Sequence, residues 1–202
     1  MPMGAVVTAV LIIAGVNPWL CLLISFVLGM LAGTVTGLLH VKLGIRPLLC
    51  GIIVYTAMLS INLVILFKGN NGITVASFFR KPTIFNSGIA ASLPAEWRIT
   101  IISLILVVIF KIAMDFYLET KSGLLLRAVG DNEKYVTMLA RDPGKAKILG
   151  LAIGNGFASL AGCVIAQAKG SADQQMGVGM VVLGLASVII GLSIFKNVKF
   201  MK

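Results

Sequence analysis

The side chains able to carry acid–base, nucleophilic or metal chemistry are few in this sequence, and they do not converge. One histidine, His40, stands beside Lys42 at the edge of an apolar run, where a zinc site would require companions. It reads as a solvated boundary residue. Cys21, Cys50 and Cys163 lie far apart inside apolar runs without metal-ligand spacing, as small buried hydrophobes and not as a disulfide. The acids Asp131, Glu133 and Asp142 share one polar stretch, but no carboxylate pair inside an apolar run faces them. No H-E-x-x-H, no G-x-S-x-G and no phosphate-cradling P-loop occurs. Catalysis, a bound metal and a cofactor are therefore not expected, nor is ATP hydrolysis by the chain itself.

What remains is polar chemistry embedded in apolar sequence. Thr34, Thr36, Thr56, Ser60, Asn62, Asn155, Ser159 and Ser187 interrupt otherwise apolar runs. Asn62 and Asn155 are the most expensive of these to leave unpaired in lipid. Asn62, Asn155, Ser159 and Ser187 are read either as interhelical hydrogen-bonding groups or as the lining of a solute path. Lys111 and Asp115 are spaced i,i+4 near one end of their run, which allows them to pair and to reach the membrane interface. An ion relay is the functional alternative for that pair. Small residues recur at helical spacing: Gly29, Gly33 and Gly37 in one run, and Gly150, Gly154, Ala158 and Gly162 in another. Each set falls on one helical face, where it would let backbones approach closely.

The elements that must position these groups follow from composition. Hydrophobic types make up 58% of the 202 residues and charged types only 12%, well below the roughly 25% typical of soluble domains. Such a chain could not cover an aqueous core with 7 acids and 17 bases, so lipid must do part of the covering. The net charge of +10 raises the question of a nucleic-acid partner. The bases fall between apolar runs instead, as in a membrane protein with basic loops, so none is expected. The start of the chain lacks the basic n-region of a cleavable leader, as though it begins within a helix.

Six membrane segments are expected, at about residues 3–16, 18–40, 47–67, 98–118, 148–168 and 174–195, since ~20 residues cross a bilayer core. Asn17-Pro18 separates the first two, and the first is too short to span comfortably alone. With the N-terminus inside, eleven bases fall on the inner side and five on the outer, with Lys111 near the inner face. The fold class is all-α, a polytopic bundle forming one domain over residues 1–202. The outer stretch around Gly69-Asn70-Asn71-Gly72 is expected to form a short hairpin or interfacial helix and to matter less for the fold, with Arg80 and Lys81 free to meet a partner.

Residues 121–147 form the largest inner loop. Gly130 punctuates it, Asp131 or Asn132 suits a helix N-cap, and Glu133 suits the positive end that follows. Tyr135, Val136, Met138 and Leu139 then give a short helix an apolar side, ending before Asp142-Pro143-Gly144. Such a helix would dock into a partner's groove or rest on lipid headgroups.

Leu126-Arg127-Ala128-Val129-Gly130-Asp131-Asn132-Glu133, followed by Lys147-Ile148-Leu149-Gly150-Leu151-Ala152 and Asn155, resembles the permease subunits of bacterial ATP-binding-cassette importers. The branched-chain amino acid and ribose type is the broad family, and a branch proposed for aromatic amino acids is nearer. The runs Gly29 to His40, Leu48 to Ile52, Ser60 to Leu63 and Gly184 to Gly191 add to the likeness, with Ala140 and Leu192 departing from it. The resemblance implies a multi-pass protein of the bacterial inner membrane that forms the solute pathway. A second permease subunit, most simply a second copy, would complete the pore. A separate ATPase would meet the coupling helix starting near Gly130, with Tyr135 and Met138 as its knobs. An extracytoplasmic solute-binding protein would deliver cargo. Family members extend further at both ends, so the chain is expected to be an internal piece of such a subunit. A stand-alone channel or secondary carrier is the alternative.

Overall fold

The computed structural model describes residues 1–69, 75–79, 81–86, 94–138 and 142–195. The turn expected at residues 70–72, Arg80, Leu139, Ala140 and the basic tail beyond residue 195 lie outside them. The chain is an all-α membrane bundle, with one small β-ribbon among the described residues. Its order is α1 (Pro2–Ile13), α2 (Pro18–Leu43), α3 (Pro47–Gly69), β1 (Val75–Ser77), α4 (Ala95–Glu119), α5 (Lys121–Asp131), α6 (Glu133–Met138), α7 (Pro143–Lys169), β2 (Ser171–Asp173) and α8 (Met180–Phe195).

Local chemistry sets the ends of these helices. Asn17 caps α2 by accepting from the Trp19 N–H at 3.0 Å, with Pro18 in the first turn, where its missing N–H is harmless. Gly44 then closes α2 at φ 65°, a left-handed position that suits glycine. His40 is not simply solvated: its Nδ1 lies 2.8 Å from the Ile45 carbonyl and ties this turn to the helix. Asp142 caps α7 through the Gly144 N–H at 2.8 Å, so α7 starts five residues earlier than expected from hydropathy alone, at Pro143. Among the described residues four helices, α2, α3, α4 and α7, are long and apolar enough to cross a membrane.

The first and last expected segments come out shorter. Helix α1 has 12 residues, about 18 Å at 1.5 Å per residue, against a core of ~30 Å. It is buried between α2, α3 and α7, with Val6, Ala9 and Ile12 almost fully enclosed. Helix α8 has 16 residues, because residues 174–179 form turns ending at Gly179 with φ 81°.

The centre of the bundle is the antiparallel pair α2–α7. A Cβ added at Gly29 would meet Ser159 and the Asn155 carbonyl, at Gly33 the Leu151 carbonyl and Ala152, and at Gly37 the Ile148 Cα at 2.8 Å. The backbones touch all along this seam, as the α2 spacing predicts. On α7 the periodicity pointed to the wrong face. Gly154 is exposed and an added Cβ there would meet nothing. Gly150 faces the Leu126 side chain of α5, and Gly162 sits under the Met1 backbone. The α7 side of the seam is Ala152, Asn155, Gly156 and Ser159. Helix α7 is enclosed by α1, α2 and α5 at once, so small residues occur on several of its faces and spacing alone could not choose between them.

The stretch after α3 belongs to the core, contrary to expectation. Strand β1 pairs antiparallel with β2, with Ala76 opposite Ala172. Ala76, Phe78, Ile84 and Ala172 join the main cluster around α1 and α7. One buried side chain organises this end: Gln167 Oε1 accepts from the Ile84 N–H at 3.0 Å, while its Nε2 donates to the Pro18 carbonyl at 3.4 Å. We predict that Gln167→Leu destabilises the folded protein by about 1–3 kcal/mol, because the Ile84 N–H is then buried without a partner. Thermal melting in detergent checks this, and an unchanged midpoint would mean that water replaces the carboxamide.

Candidate functional site

Two places hold the polar and exposed groups singled out in the sequence. The first is a cavity of about 240 Å³ between α1, α2, α3 and α7. Asn62, Asn155 and Ser159 all line it, with Thr36, Tyr55, Met58 and the Met1 end of the chain beside them. Ser187 is elsewhere, exposed on α8, with its hydroxyl donating to the Leu183 carbonyl at 2.7 Å.

The three assembled residues behave differently from one another. Ser159 makes a true interhelical contact, its Oγ 3.0 Å from Ser25 Oγ on α2, and Ser25 also donates to the Ser159 carbonyl at 3.1 Å. Asn155 does not bridge helices; its Nδ2 donates to the Leu151 carbonyl one turn back at 2.9 Å. Asn62 is 1% exposed, yet its Oδ1 has no hydrogen-bond partner. The sequence reading passed over Ser25 and Gly4. A Cβ at Gly4 would overlap the Ser159 carbonyl and Ser25 Oγ, so glycine lets α1 close over this junction. Only the third helix gives Gly4 its meaning.

The second place is the stretch 121–147, which is more ordered than a loop. Thr120 caps α5 by accepting from the Gly123 N–H at 3.3 Å, so residues 121–131 are helical before α6 begins. Gly130 is therefore not the hinge: it lies inside α5, where an added Cβ meets nothing within 4 Å. Asp131 ends α5 and does not cap α6. The break falls at Asn132, with extended backbone (φ −154°, ψ 97°) and Oδ1 accepting from the Tyr135 N–H at 3.2 Å. Glu133 begins α6. Val136 is 1% exposed and packs with Val129 and Ala146, whereas Tyr135 and Met138 point outward, 58% and 82% exposed. The short helix is thus pinned on one side and bare on the other.

This arrangement predicts opposite effects at adjacent positions. Asn132→Ala should cost about 0.5–2 kcal/mol of local stability through loss of the cap. Gly130→Ala should be neutral or gain up to ~1 kcal/mol, since glycine is a poor helix former. Amide hydrogen exchange across α5 and α6 distinguishes these from the reverse order expected of a glycine hinge.

Lys111 and Asp115 are exposed on α4, at the wall of an open apolar groove of about 620 Å³ against α7. Among the described residues, no three His, Cys, Asp or Glu side chains gather as a metal-holding group.

Long apolar helices packed with their backbones in contact define a multi-pass membrane protein. Residues 1–198 match the family described as branched-chain amino acid transport system / permease component, and the chain belongs to that family. It is 40% identical over 200 residues to a tyrosine transport system permease protein of Clostridioides difficile, covering 99% of this chain and 63% of that one. It is 30% identical over 179 residues to an uncharacterised protein of Rickettsia prowazekii, covering 87% and 59%. A fructose import permease protein of Bifidobacterium longum is 29% identical over 148 residues, covering 73% and 40%. The chain thus spans less than two thirds of the length of these relatives. No solved structure matches. Permease components of transport systems work with other subunits.

Proposed function

We propose that this chain forms the core of the membrane-spanning subunit of an ATP-binding-cassette importer in a bacterial inner membrane. Two such subunits, most simply two copies, would enclose the solute pathway. A separate ATPase would drive them from the α5–α6 side, and an extracytoplasmic solute-binding protein would load them from the β-ribbon side. The observation that carries this reading is α6, held by Val136 while Tyr135 and Met138 stand bare. A lever must be held against its own bundle and apolar toward its driver; Val136 packed on Val129 and Ala146, with Tyr135 and Met138 exposed, supports that reading. Tyrosine, the solute named for the Clostridioides difficile relative, is the first solute to test.

The test is uptake into proteoliposomes holding the full-length subunit with its cognate ATPase and binding protein. Import that requires ATP hydrolysis and the binding protein is expected. Uptake of the same solute by the membrane subunit alone, without ATP, would establish a stand-alone channel or secondary carrier instead.

A further inference from the structure

The flank of the bundle between α4 and α7 carries an inference about the surrounding membrane, resting on the permease reading only for which leaflet it faces. We propose that the groove there holds one phospholipid of the cytoplasmic leaflet, selected for a headgroup that carries both a phosphate and a primary ammonium.

The groove, of about 620 Å³, has hydrocarbon walls, with Leu106 and Phe110 on α4 facing Leu160 and Val164 on α7. Phe110 and Phe157 join the two walls edge to face, with ring centroids 6.1 Å apart, and both also pack against the main core. Along α4 the lining runs from Ser103 to Asp115, about 18 Å at 1.5 Å per residue. Beyond Ser103, Ile102 already packs against the main core. The groove therefore covers little more than one leaflet of a hydrocarbon core ~30 Å thick. An acyl chain fits that length, whereas a spanning helix would need a seat nearly twice as long.

The two charges of the groove stand together at one end, the end that leads into α5 and α6. Asp115 lies about 6 Å from the end of α4 at Glu119, and Lys111 lies about 12 Å from it. The carboxylate is thus at the edge of the headgroup layer, and the lysine stem can carry its ammonium there. Both side chains are exposed, and their i,i+4 spacing puts them one turn apart on one face. A charge at this depth is costly without a polar partner. An ammonium has three donors and a carboxylate two accepting oxygens, so contact between the two still leaves capacity for a ligand. A phosphate complements Lys111, and a primary ammonium complements Asp115. A choline headgroup has no N–H to donate, and a glycerol headgroup has no cation. The acyl chain gains little by leaving other hydrocarbon for the groove, so selection falls to the headgroup.

The experiment places the full-length subunit with its ATPase in nanodiscs containing photoreactive phosphatidylethanolamine, phosphatidylglycerol or phosphatidylcholine with identical acyl chains. Labelled peptides are mapped by mass spectrometry. Phosphatidylethanolamine should label residues 103–115 and 157–165 about tenfold more than either other lipid, on the scale of one charge-assisted hydrogen bond. Lys111→Gln should reduce that labelling about tenfold. Asp115→Asn should erase the preference over phosphatidylglycerol, because Lys111 still holds the phosphate. Neither variant should change the melting temperature, since both side chains are exposed. Equal labelling by all three lipids in the wild type would mean ordinary bulk lipid and overturn the proposal. Absent labelling would overturn it too, by showing that protein covers the groove, either another helix of the full-length subunit or a second copy. So would an unchanged lipid preference in Asp115→Asn. ATP-dependent uptake in the wild type that survives any of these results would leave the permease reading standing and remove only the lipid site.

Discussion

Gly33→Leu should prevent the bundle from assembling, whereas Gly154→Leu, made on the facing helix, should leave it folded. At Gly33 the first added carbon already collides with the Leu151 carbonyl and the Ala152 Cα. These are backbone atoms of a helix that cannot yield locally, and α2 would have to retreat along the whole seam. Overpacking of a core costs ~1–3 kcal/mol where side chains can give way, and more is expected here because backbone must move. Close approach is also much of what joins helices in lipid, so separation forfeits the packing of their neighbours. At Gly154 there is open space, and a leucine there extends a lipid-facing surface. Folded yield and melting temperature in mild detergent distinguish the two. Equal loss in both variants would mean that α7 is rotated from the orientation described.

The double variant Tyr135→Ala/Met138→Ala in the full-length subunit should fold normally and lose its ATPase. Neither side chain is buried in the bundle, so their removal takes little from its stability. If they fill a groove on the ATPase, each would be a contact of the kind whose truncation costs about 2 kcal/mol or more, roughly thirtyfold in affinity. ATP-dependent uptake should fall with complex formation. The control is Val136→Ala, which removes the pin and not the knobs. It should loosen α6 in hydrogen exchange and weaken the complex less. Undiminished co-purification of the ATPase with the double variant would place the lever elsewhere.

The elements differed in how far their sequence revealed them. The long spans α2 and α3 were legible because uninterrupted apolar runs bounded by proline and basic residues have few alternative structures. The α2 glycine seam was legible because α2 approaches α7 along a single face. Its counterpart on α7 was not, because several helices crowd that element and each takes a different set of small residues. Helix α5 was missed because Thr120, which caps it, lies in the polar region that marks the end of α4. Assigning the hinge to Gly130 followed glycine's usual role as a breaker. The fold placed Asn132 there instead, where one residue provides both the extended backbone and the cap.

Of the candidate site, the sequence identified which residue types were too polar to face lipid, but it could not tell whether any had found partners. That distinction depends on tertiary structure. Asn155 donates within its own turn, Ser159 pairs with Ser25, and Asn62 keeps a buried Oδ1 without a hydrogen-bond partner beside a cavity that exists only once α1, α2, α3 and α7 have met. Gln167, at the end of an apolar run, looked unremarkable until residues 75–84 folded back onto it. Composition and periodicity are properties of single segments, so they determined by themselves that this is a membrane bundle and roughly where most of its spans lie. Which faces touch, which hydrogen bonds close and which polar atom is left unpaired are relations between segments, and only the packing of the whole chain decided them.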